Sequence, residues 1–433
     1  MSDSKQVRVM EPLYGGASAT SDSRITLPFV LQDEIVDVAP NGQAAHIVEA
    51  SPERVTPKCP HFGTCGGCQY QMVSAPEQLE IKRRILRAAL EAAGVTAPAD
   101  IAAHGGELYG YRNRIRLRIE RVSDELRLGY NVRATTEFLP ITTCPIAAPA
   151  LWSTAEAVLA TAPQDRDAEF WLAAASEMEL FCNDDMTRIQ VMLLCAPRTK
   201  AKQGSLTRCF NAMRRIAPQI VGLAAIASDP RTGPTGRTLD AVGAAGLNYR
   251  VGDESYWISR GGFFQVNRFL LAKLVGLVCE DKGKARTGAL AWDLYAGVGL
   301  FSRVLARSFM QVVAVESNPT ADADNRTALS KLGPAHQAIH STTLDFLRTA
   351  ILQRERPELV VLDPPRAGAG VEACELLLRL MPREMVYVSC DPTTLARDLG
   401  VLQREYRIAA THLVDLFPQT FHMETVVVLE RKK

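Results

Sequence analysis

The chain has 433 residues, of which 47% are hydrophobic and 22% charged, and its 49 basic and 48 acidic residues leave a formal net charge of +1. This length predicts two or three domains, and the composition excludes a disordered chain. The near-neutral charge excludes a general electrostatic attraction to nucleic acid, so any such binding has to come from local patches. No apolar run reaches the roughly 18 residues that span a membrane, and the first residues lack the apolar core of a secretory signal, which predicts a cytoplasmic protein without a membrane partner.

Three domains are predicted along the chain. In residues 1–56, short β-prone stretches between turn residues predict a small, partly closed β-barrel. A helix is predicted over Ala75–Ala93, and residues 57–256 otherwise indicate a β-rich central domain. In residues 257–433, strand-like runs alternate with helical runs. That alternation is typical of a doubly wound, mostly parallel sheet.

Three cysteines lie close together at Cys59, Cys65 and Cys68, with a Gly-Gly pair between the last two. Glycines allow the chain to wrap tightly, as it does around a metal centre. Three thiolates need a fourth ligand, and Cys144 is the natural candidate. Four thiolates suit either zinc or an iron–sulfur cluster. The uneven spacing and the following proline favour [4Fe–4S] over zinc without excluding it.

Arginines alternate with other residues over Tyr111–Ile119. On a strand they share one face, and a face of four arginines is costly to leave unpaired. Phosphate is the obvious counter-charge, which predicts an RNA-binding strand. The alternative is a solvated face that pairs with acids such as Glu107 and Glu120. The four arginines are Arg112, Arg114, Arg116 and Arg118, and the neighbouring predicted helix adds Lys82, Arg83, Arg84 and Arg87.

A glycine-containing loop, Asp293–Gly299, ends one predicted strand and opens a helix. Glycines there let the main chain approach a ligand closely, and a helix N-terminus offers free N–H groups. Glu316 closes the next strand, where an acid can accept hydrogen bonds from a ribose diol. A packing turn is the alternative. The third glycine of a dinucleotide-binding loop is missing, which favours S-adenosylmethionine (SAM) as the ligand.

Two further motifs follow apolar, strand-like runs and place Asp363 and Cys390 at the carboxyl edge of the predicted sheet. Ligands bind at that edge in open α/β sheets. A free thiol has a pKa of about 8.5, so modest tuning makes Cys390 a nucleophile, although a buried, inert cysteine is the alternative. Glu424, just before the last strand, is placed to act as a general base, with an exposed loop acid as the alternative. For His422 a structural hydrogen-bonding role is the default.

Together these motifs resemble the RNA (uracil-5-)methyltransferase family, in its iron–sulfur-containing branch that acts on 23S ribosomal RNA. The resemblance covers nearly the whole chain, and the motifs occur in the order of the family. They are Cys-Pro-His-Phe-Gly-x-Cys-Gly-Gly-Cys at 59–68, Tyr-Arg-Asn-Arg at 111–114, Phe-Phe-Gln-Val-Asn at 263–267, Asp-Leu-Tyr-x-Gly-x-Gly at 293–299, Asp-Pro-Pro-Arg at 363–366, Ser-Cys-Asp-Pro at 389–392 and His-x-Glu at 422–424.

The resemblance implies an α/β multidomain protein. It comprises an abbreviated OB-like TRAM barrel that binds RNA, a β-rich central domain whose four cysteines hold a structural [4Fe–4S] cluster, and a Rossmann-like class I SAM-dependent methyltransferase domain. Ala296 and Leu300 depart from residues that the family often carries, and these departures concern cofactor packing. The residues implied to bind SAM are Gln265, Tyr295, Glu316 and Asp363, with Asp345 near the adenine.

The implied chemistry is formation of 5-methyluridine. Uracil C5 is a poor nucleophile, and addition of the Cys390 thiolate to C6 makes C5 a carbanion that can accept the methyl group. Glu424 then removes the C5 proton. The expected substrate is 23S rRNA and the expected state a monomer. One alternative keeps the chemistry on the T-loop uridine of tRNA. Another is a noncatalytic RNA-binding or folding factor, against which the presence of both Cys390 and Glu424 argues.

Overall fold

The structure of the protein is a computed structural model that describes residues 5–39, 41–96, 100–200, 202–229 and 233–433, without the side chains of residues 45 and 233–235. The chain divides into two compact units. The first comprises Met1–Gly63, Cys68–Leu108 and Leu270–Lys433, and the second Thr64–Gly67 and Tyr109–Phe269. The three-domain division at 56 and 256 stays a prediction.

An antiparallel sheet begins the first unit. Its strands pair in the order β3-β2-β1-β4-β5. Alternating valines on β1 and β4 point to one side, where they form a small apolar core with Leu27. The strands are β1 (Lys5–Pro12), β2 (Ala17–Thr20), β3 (Thr26–Pro28), β4 (Ile35–Val38) and β5 (Ala44–Glu49).

Helix α1 (Ala75–Ala92) follows in the same unit and confirms the helix that the sequence predicts. It begins after Ser74, whose hydroxyl accepts the Glu77 N–H, and a proline in the first turn suits a helix start. Its apolar face packs into the main core of the unit through Ile81, Ile85, Leu86 and Leu90. The chain then forms the short strand β6 (Ala102–His104).

The second unit is built on a sheet with the order β13-β12-β11-β10-β7-β8-β9 and a separate hairpin, β14-β15. This confirms a β-rich region, but the helices packed against the sheet were not predicted. The strands are β7 (Arg114–Val122), β8 (Glu125–Asn131), β9 (Phe138–Pro140), β10 (Ala175–Cys182), β11 (Ile189–Cys195), β12 (Ile220–Asp229), β13 (Gly233–Gly243), β14 (Gly246–Val251) and β15 (Glu254–Ser259), and the helices are α2 (Pro149–Leu159), α3 (Arg166–Ala174) and α4 (Ser205–Ile216), with a 3₁₀ turn at Ala162–Gln164.

Residues 270–433 return to the first unit and form strands that alternate with helices. The strands are β16 (Glu280–Asp281), β17 (Lys284–Ala285), β18 (Gly288–Leu294), β19 (Phe309–Glu316), β20 (Gln337–His340), β21 (Leu359–Leu362), β22 (Glu384–Ser389), β23 (Tyr406–Val414) and β24 (Glu424–Arg431). The helices are α5 (Leu271–Cys279), α6 (Ser302–Leu305), α7 (Pro319–Leu329), α8 (Thr343–Gln353), α9 (Val371–Leu380) and α10 (Pro392–Leu402).

The sheet of this region has the order β20-β19-β18-β21-β22-β24-β23-β6, in which β24 runs antiparallel to both of its neighbours. The strand order reverses at β18, which confirms the predicted doubly wound sheet. Strands β18, β19, β21 and β22 are parallel, so their carboxyl ends lie along one edge. Ligands bind outside this edge in such sheets.

Within the part of the chain that the structure describes, no helix combines the length and the apolar character that crossing a membrane requires.

Candidate active site

The loop after β18 has a main-chain conformation that its glycines make possible. Gly297 and Gly299 have φ angles of +55° and +87°, and Tyr295 has +63°. A Cβ atom on Gly299 would lie 2.3 Å from Oδ1 of Asn325, a fully buried side chain on α7. A residue other than glycine at position 299 would therefore have to displace the buried Asn325 side chain and adopt a left-handed main-chain conformation.

Glu316, at the end of β19, lies beside this loop as the sequence predicts. Its Oε2 accepts the Gly297 N–H at 2.9 Å, and its Oε1 accepts the Asn318 N–H at 2.6 Å. A carboxylate oxygen can accept more than one hydrogen bond, so both oxygens keep capacity for a ligand hydroxyl. The structure thus brings together the glycine loop and the acid, which the sequence places 17 residues beyond Gly299.

Asp293, near the end of β18, is buried and bonded to Ser302, just after the loop. It is fully buried, and its Oδ2 accepts hydrogen bonds from both the main-chain N–H and the hydroxyl of Ser302. Burial raises the pKa of Asp293 to about 7, and the nearby charge of Glu316 adds to that effect. The sequence identified Asp293 only as the start of a motif, and nothing local signalled its burial.

Tyr295 and Asp345 both lie near the start of α8. The Tyr295 hydroxyl lies beside Thr343, and burial raises the pKa of Tyr295. Asp345 is exposed and interacts with the start of its own helix: Thr342 Oγ1 donates to its Oδ2 at 2.7 Å. Its Oδ1 pairs with Arg348 at 3.1 Å. Thr342 is the N-cap of α8 and its Oγ1 accepts the Asp345 N–H at 3.2 Å, so these contacts place Asp345 in the first turn of the helix, and its place near an adenine stays a prediction.

Cys390 and Glu424 lie side by side because of the strand pairing. Strands β22 and β24 are antiparallel with Ser389 opposite Thr425, so Cys390 leaves one strand where Glu424 begins the other. Asp363 follows β21, the parallel neighbour of β22, and therefore lies at the same edge. The structure thus brings together three residues that the sequence predicted separately.

The surroundings of Cys390 disfavour its thiolate. Burial is the largest cause and raises the pKa of the thiol to about 12. The charges of Glu424, Asp363 and Asp391 raise the pKa further, and Arg366 opposes them. The sequence predicted only modest tuning of an ordinary thiol. In the structure, Cys390 is a protonated thiol at neutral pH, with one cation beside it that can stabilise the anion.

Glu424 is a buried carboxyl group, which rules out the exposed loop acid considered as an alternative. Burial and the charge of Asp363 raise the pKa of Glu424 well above the ordinary value. Among the described residues, Glu424 Oε1 has no hydrogen-bond partner. A buried carboxyl group with a raised pKa and an oxygen without a hydrogen-bond partner is typical of a functional acid or base.

The loop just before Glu424, Leu416–His422, is called here the base loop, and α1 holds it in place. Gln78 on α1 exchanges hydrogen bonds with Gln419: its Oε1 accepts the Gln419 N–H at 2.9 Å, and its Nε2 donates to Gln419 Oε1 at 3.2 Å. Lys82, also on α1, donates to Asp415 Oδ1 at 2.6 Å and to the carbonyl of Phe417 at 3.1 Å. Both members of the ion pair are buried.

These contacts correct the role given to Lys82. The sequence counted it with three neighbouring arginines as surface charge, but its ammonium group is fully buried and paired. Two of those arginines also have acidic partners on the same helix, since Arg83 pairs with Glu80 and Arg84 with Glu77. The basic helix is therefore mostly neutralised within the protein.

The arginine strand of the second unit alternates as predicted, with Ile115, Leu117 and Ile119 buried on the opposite face. Its arginines nevertheless have carboxylate partners. Glu179 pairs with Arg114 at 3.2 Å and with Arg116 at 2.8 Å, and Arg118 pairs with Glu120. The premise of an unpaired face is therefore wrong for these three. Contact with RNA stays a prediction for them and for Arg112, which precedes the strand.

Gln265 also lies in the second unit, within the motif at 263–267, and it is buried. The motif is held by the residues before β7. The Asn113 side chain donates to the carbonyl of Gln265 at 2.9 Å, and the Asn113 N–H donates to the carbonyl of Val266 at 2.9 Å. Arg112 and Asn267 form an isolated bridge. Two motifs far apart in the sequence are thus one structural element.

The predicted cluster cysteines are partly exposed, whereas Cys182, Cys195, Cys209, Cys279 and Cys374 are buried. The Tyr130 hydroxyl donates to Cys144 Sγ at 3.8 Å, and the Gly67 N–H donates to Cys65 Sγ at 3.4 Å. In the described ranges, no group of three or more His, Cys, Asp or Glu side chains is placed to hold a metal ion. The first unit contains Cys59 and Cys68, and the second contains Cys65 and Cys144.

Known proteins resemble this chain in sequence and in structure. The sequence model of the tRNA (uracil-5-)methyltransferase family matches residues 246–432. The chain is 32% identical over 401 residues to the 23S rRNA (uracil(1939)-C(5))-methyltransferase RlmD of Edwardsiella ictaluri, covering 90% of this chain and 85% of that protein. It is 30% identical over 411 residues to an uncharacterized RNA methyltransferase of Nitratidesulfovibrio vulgaris, covering 89% of this chain and 85% of that protein.

The solved structure of the Pyrococcus abyssi tRNA (uracil-54, C5)-methyltransferase in complex with S-adenosyl-L-homocysteine has a TM-score of 0.73 with this chain. The two are 23% identical, and the match covers 98% of this chain and 100% of that one. This likeness shows a shared fold.

Proposed function

Because this chain belongs to the RNA (uracil-5-)methyltransferase family, we propose that it acts as a monomer and methylates C5 of a uridine in 23S ribosomal RNA, with SAM as the methyl donor. The observation that carries the proposal is the convergence of Cys390, Glu424 and Asp363 at one edge of the sheet. The glycine loop and Glu316 lie on neighbouring strands of that edge. The RlmD relative supports 23S rRNA as the substrate.

In the proposed reaction, Cys390 loses its proton to water and its Sγ forms a bond with C6 of a flipped-out uracil. The electron pair of the C5–C6 bond moves toward C5. SAM would supply an electrophilic methyl carbon on a sulfonium: C5 forms a bond to that carbon as the methyl–sulfur bond breaks, and S-adenosylhomocysteine leaves with the electron pair. Glu424 then removes the hydrogen of C5 as a proton, the C5–C6 double bond forms again, and the Cys390 thiolate leaves.

The electrostatics fit these roles. A carboxylate whose pKa is well above the ordinary value is a stronger base than a free glutamate, which suits proton removal from carbon by Glu424. Arg366 is the cation that lowers the pKa of Cys390, so it stabilises the thiolate when that forms and leaves. A positive charge bound at this edge lowers the pKa of Cys390 further, because opposite charges favour the ionised form.

For the cofactor, we assign Glu316 to the ribose diol, because its oxygens keep acceptor capacity beside the glycine loop. The buried Asp293 accepts hydrogen bonds from Ser302, just after that loop, and the Asn325 side chain lies close to Gly299. The remaining residues assigned to SAM are Gln265, Tyr295 and Asp363, with Asp345 near the adenine.

We assign a [4Fe–4S] cluster of structural role to the four partly exposed cysteines. Their chemistry fits such a group, since Cys144 and Cys65 each accept a hydrogen bond, as cluster thiolates do. The cluster takes no part in methyl transfer. We expect protein purified without air to contain iron and sulfide and to absorb at about 400 nm. Stoichiometric zinc without iron would contradict the assignment. The cysteines are Cys59, Cys65, Cys68 and Cys144.

RNA contact is assigned to the N-terminal sheet, as an abbreviated TRAM-like barrel over residues 1–56, and to the arginines at 112, 114, 116 and 118. Residues 57–256 form the central domain in this division, and residues 257–433 the methyltransferase domain. These parts compensate the few kcal/mol that extruding a base from its stack costs.

The substrate test uses purified full-length enzyme, SAM, and transcripts of 23S rRNA and of tRNA. Digestion and mass spectrometry then locate any 5-methyluridine. We expect the product in 23S rRNA and none in tRNA, and a Cys390→Ala variant to form none in either. Methylation of tRNA alone would move the substrate to its T-loop. Tight RNA binding without methylation of either would favour a noncatalytic RNA-binding factor.

A further inference from the structure

The turn between β1 and β2 of the N-terminal sheet lies against the base loop. The turn is closed by the Leu13 N–H, which donates to the carbonyl of Ala17 at 2.8 Å. A Cβ atom on Gly16 would lie only 2.6 Å from Cγ of Gln69 and 3.6 Å from Cβ of Phe421. Gln69 Oε1 in turn accepts the Phe421 N–H at 3.3 Å. Since Gly16 has a φ of +88°, a side chain at this position is excluded on two grounds.

Tyr14, within this turn, reaches the residues around the nucleophile. Its ring contacts the ring of Phe421 edge-on, with centroids 5.4 Å apart, and Phe421 contacts His422 with centroids 4.1 Å apart. The Tyr14 hydroxyl lies beside the Asp391 carboxylate. Burial and the charge of Asp391 raise the pKa of Tyr14, so its hydroxyl keeps its proton and remains a donor at neutral pH.

Asp391 sets the local geometry of Cys390. Its Oδ1 accepts the N–H groups of Thr393 and Thr394, each at 3.0 Å, and thereby caps α10. Its own N–H donates to Ser389 Oγ at 3.3 Å. Cys390 is therefore held between two residues whose positions are fixed by hydrogen bonds. A displacement of Asp391 displaces the start of α10 and the main chain at the sulfur.

We propose that Tyr14 is a positioning residue for Cys390, and that its hydroxyl holds the Asp391 carboxylate while its ring supports the base loop through Phe421. The N-terminal sheet is then part of the active-site wall as well as a surface for RNA. The proposal rests on the proposed function for the role of Cys390 as nucleophile. Neither the N-terminal sheet nor any tyrosine within it was predicted to approach the active site.

An electrostatic consequence distinguishes this role from simple packing. The charged groups that act on Cys390 are Glu424, Asp363, Arg366 and Asp391. A hydrogen bond from Tyr14 draws negative charge away from Cys390 by partly neutralising Asp391. Without the hydroxyl, Asp391 acts on the thiolate at full strength, and the pKa of Cys390 rises. Loss of the ring alone has no such electrostatic effect.

The test is alkylation of Cys390 by iodoacetamide in the intact full-length protein, followed between about pH 7 and 10 by mass spectrometry of the peptide that contains it. Tyr14→Phe removes the hydroxyl and keeps the ring. The matched control is Tyr406→Phe, which removes a buried hydroxyl whose hydrogen bond to the carbonyl of Pro382 is 2.6 Å long, at the opposite edge of the sheet. Methyl transfer and SAM affinity are measured on the same three proteins.

If the pKa of Cys390 rises by about one unit, we expect Tyr14→Phe to slow alkylation at a given pH about threefold, because the more basic thiolate is also more nucleophilic, and to lower kcat, with unchanged SAM affinity and unchanged behaviour of Tyr406→Phe. Equal rates for Tyr14→Phe and the unchanged protein would overturn the proposal, and so would an equal loss in Tyr406→Phe. The alkylation result does not depend on methyl transfer. If Cys390→Ala retained methyl transfer, the proposed function would fail while the role of Tyr14 in positioning the sulfur would still be measured.

Discussion

The resting state of Cys390 has a kinetic consequence that can be measured without any substrate. Its thiol has a pKa raised from an ordinary 9.0 to about 12. At about pH 8 that difference reduces the thiolate population roughly a thousandfold. A thiolate of higher pKa is intrinsically more nucleophilic, and with a Brønsted coefficient of about 0.4–0.5 this raises the rate per thiolate roughly 20- to 30-fold. We therefore expect Cys390 to react with iodoacetamide about 30- to 60-fold more slowly than an exposed thiol.

The pH dependence of the alkylation rate tests this more sharply than the rate at a single pH. With a pKa of about 12, the alkylation rate of Cys390 rises about tenfold per pH unit and reaches no plateau below about pH 10. The charged neighbours predict the direction of two variants. Asp363→Asn removes a carboxylate that raises the pKa of Cys390 and speeds the reaction, whereas Arg366→Gln removes the opposing cation and slows it.

The assay follows only the peptide that contains Cys390, because the partly exposed cysteines near the N-terminus react as well. A plateau near pH 8 to 9 would show an ordinary thiol. Together with identical rates for Asp363→Asn and Arg366→Gln, it would refute the reasoning from burial and neighbouring charge.

Three further predictions concern other parts of the chain. The pKa of Asp293 is about 7 in the fold and near 3.8 in the unfolded chain, so its stabilising contribution is complete below about pH 4 and is lost progressively as the pH rises to about 7, a change of about 4 kcal/mol. Asp293→Asn should flatten the pH dependence of the free energy of urea unfolding between about pH 4 and 7, and an unchanged dependence would contradict the assignment. Lys82→Met leaves Asp415 buried and unpaired and should lower the free energy of unfolding by about 3–5 kcal/mol, and the double variant with Asp415→Leu should largely restore it. The surface variant Arg84→Gln serves as the control and should lower it by less than about 1 kcal/mol. Equal losses in Lys82→Met and Arg84→Gln would contradict this prediction. The Arg116 side chain is 44% exposed beside Glu179, so Arg116→Gln should weaken RNA binding and reduce the slope of log affinity against log salt concentration by about one. Unchanged affinity would show that Arg116 pairs with carboxylates of the protein and does not contact RNA.

The sequence predicted those site residues whose position follows directly from the end of a single strand. A polar residue directly after an apolar run lies at the carboxyl edge of a parallel sheet, so Glu316, Asp363 and Cys390 could be placed there without a structure. The pairing of β22 with β24 then put Glu424 beside Cys390. Helix α1 was also predictable, because its cap, its apolar face and its final glycine are all local signals.

Contacts between distant segments could not be predicted in this way. Lys82 and Asp415 are 333 positions apart, and a lysine on a basic helix gives no local sign that it is buried. The same applies to Tyr14, whose partner Asp391 lies near the other end of the chain. The raised pKa of Cys390 depends on burial and on three carboxylates from different strands, so composition and spacing carried no information about it.

The most direct measurement of the covalent role of Cys390 uses RNA in which the target uridine is replaced by 5-fluorouridine. Fluorine at C5 cannot leave as a proton does, so the reaction stops after methyl transfer and before elimination, and the sulfur remains bound to C6. With SAM present, we expect a denaturation-stable protein–RNA adduct whose cross-linked peptide contains Cys390, and none with Cys390→Ala. An enzyme that methylates normal RNA but forms no adduct, or forms it at another side chain, would contradict that role.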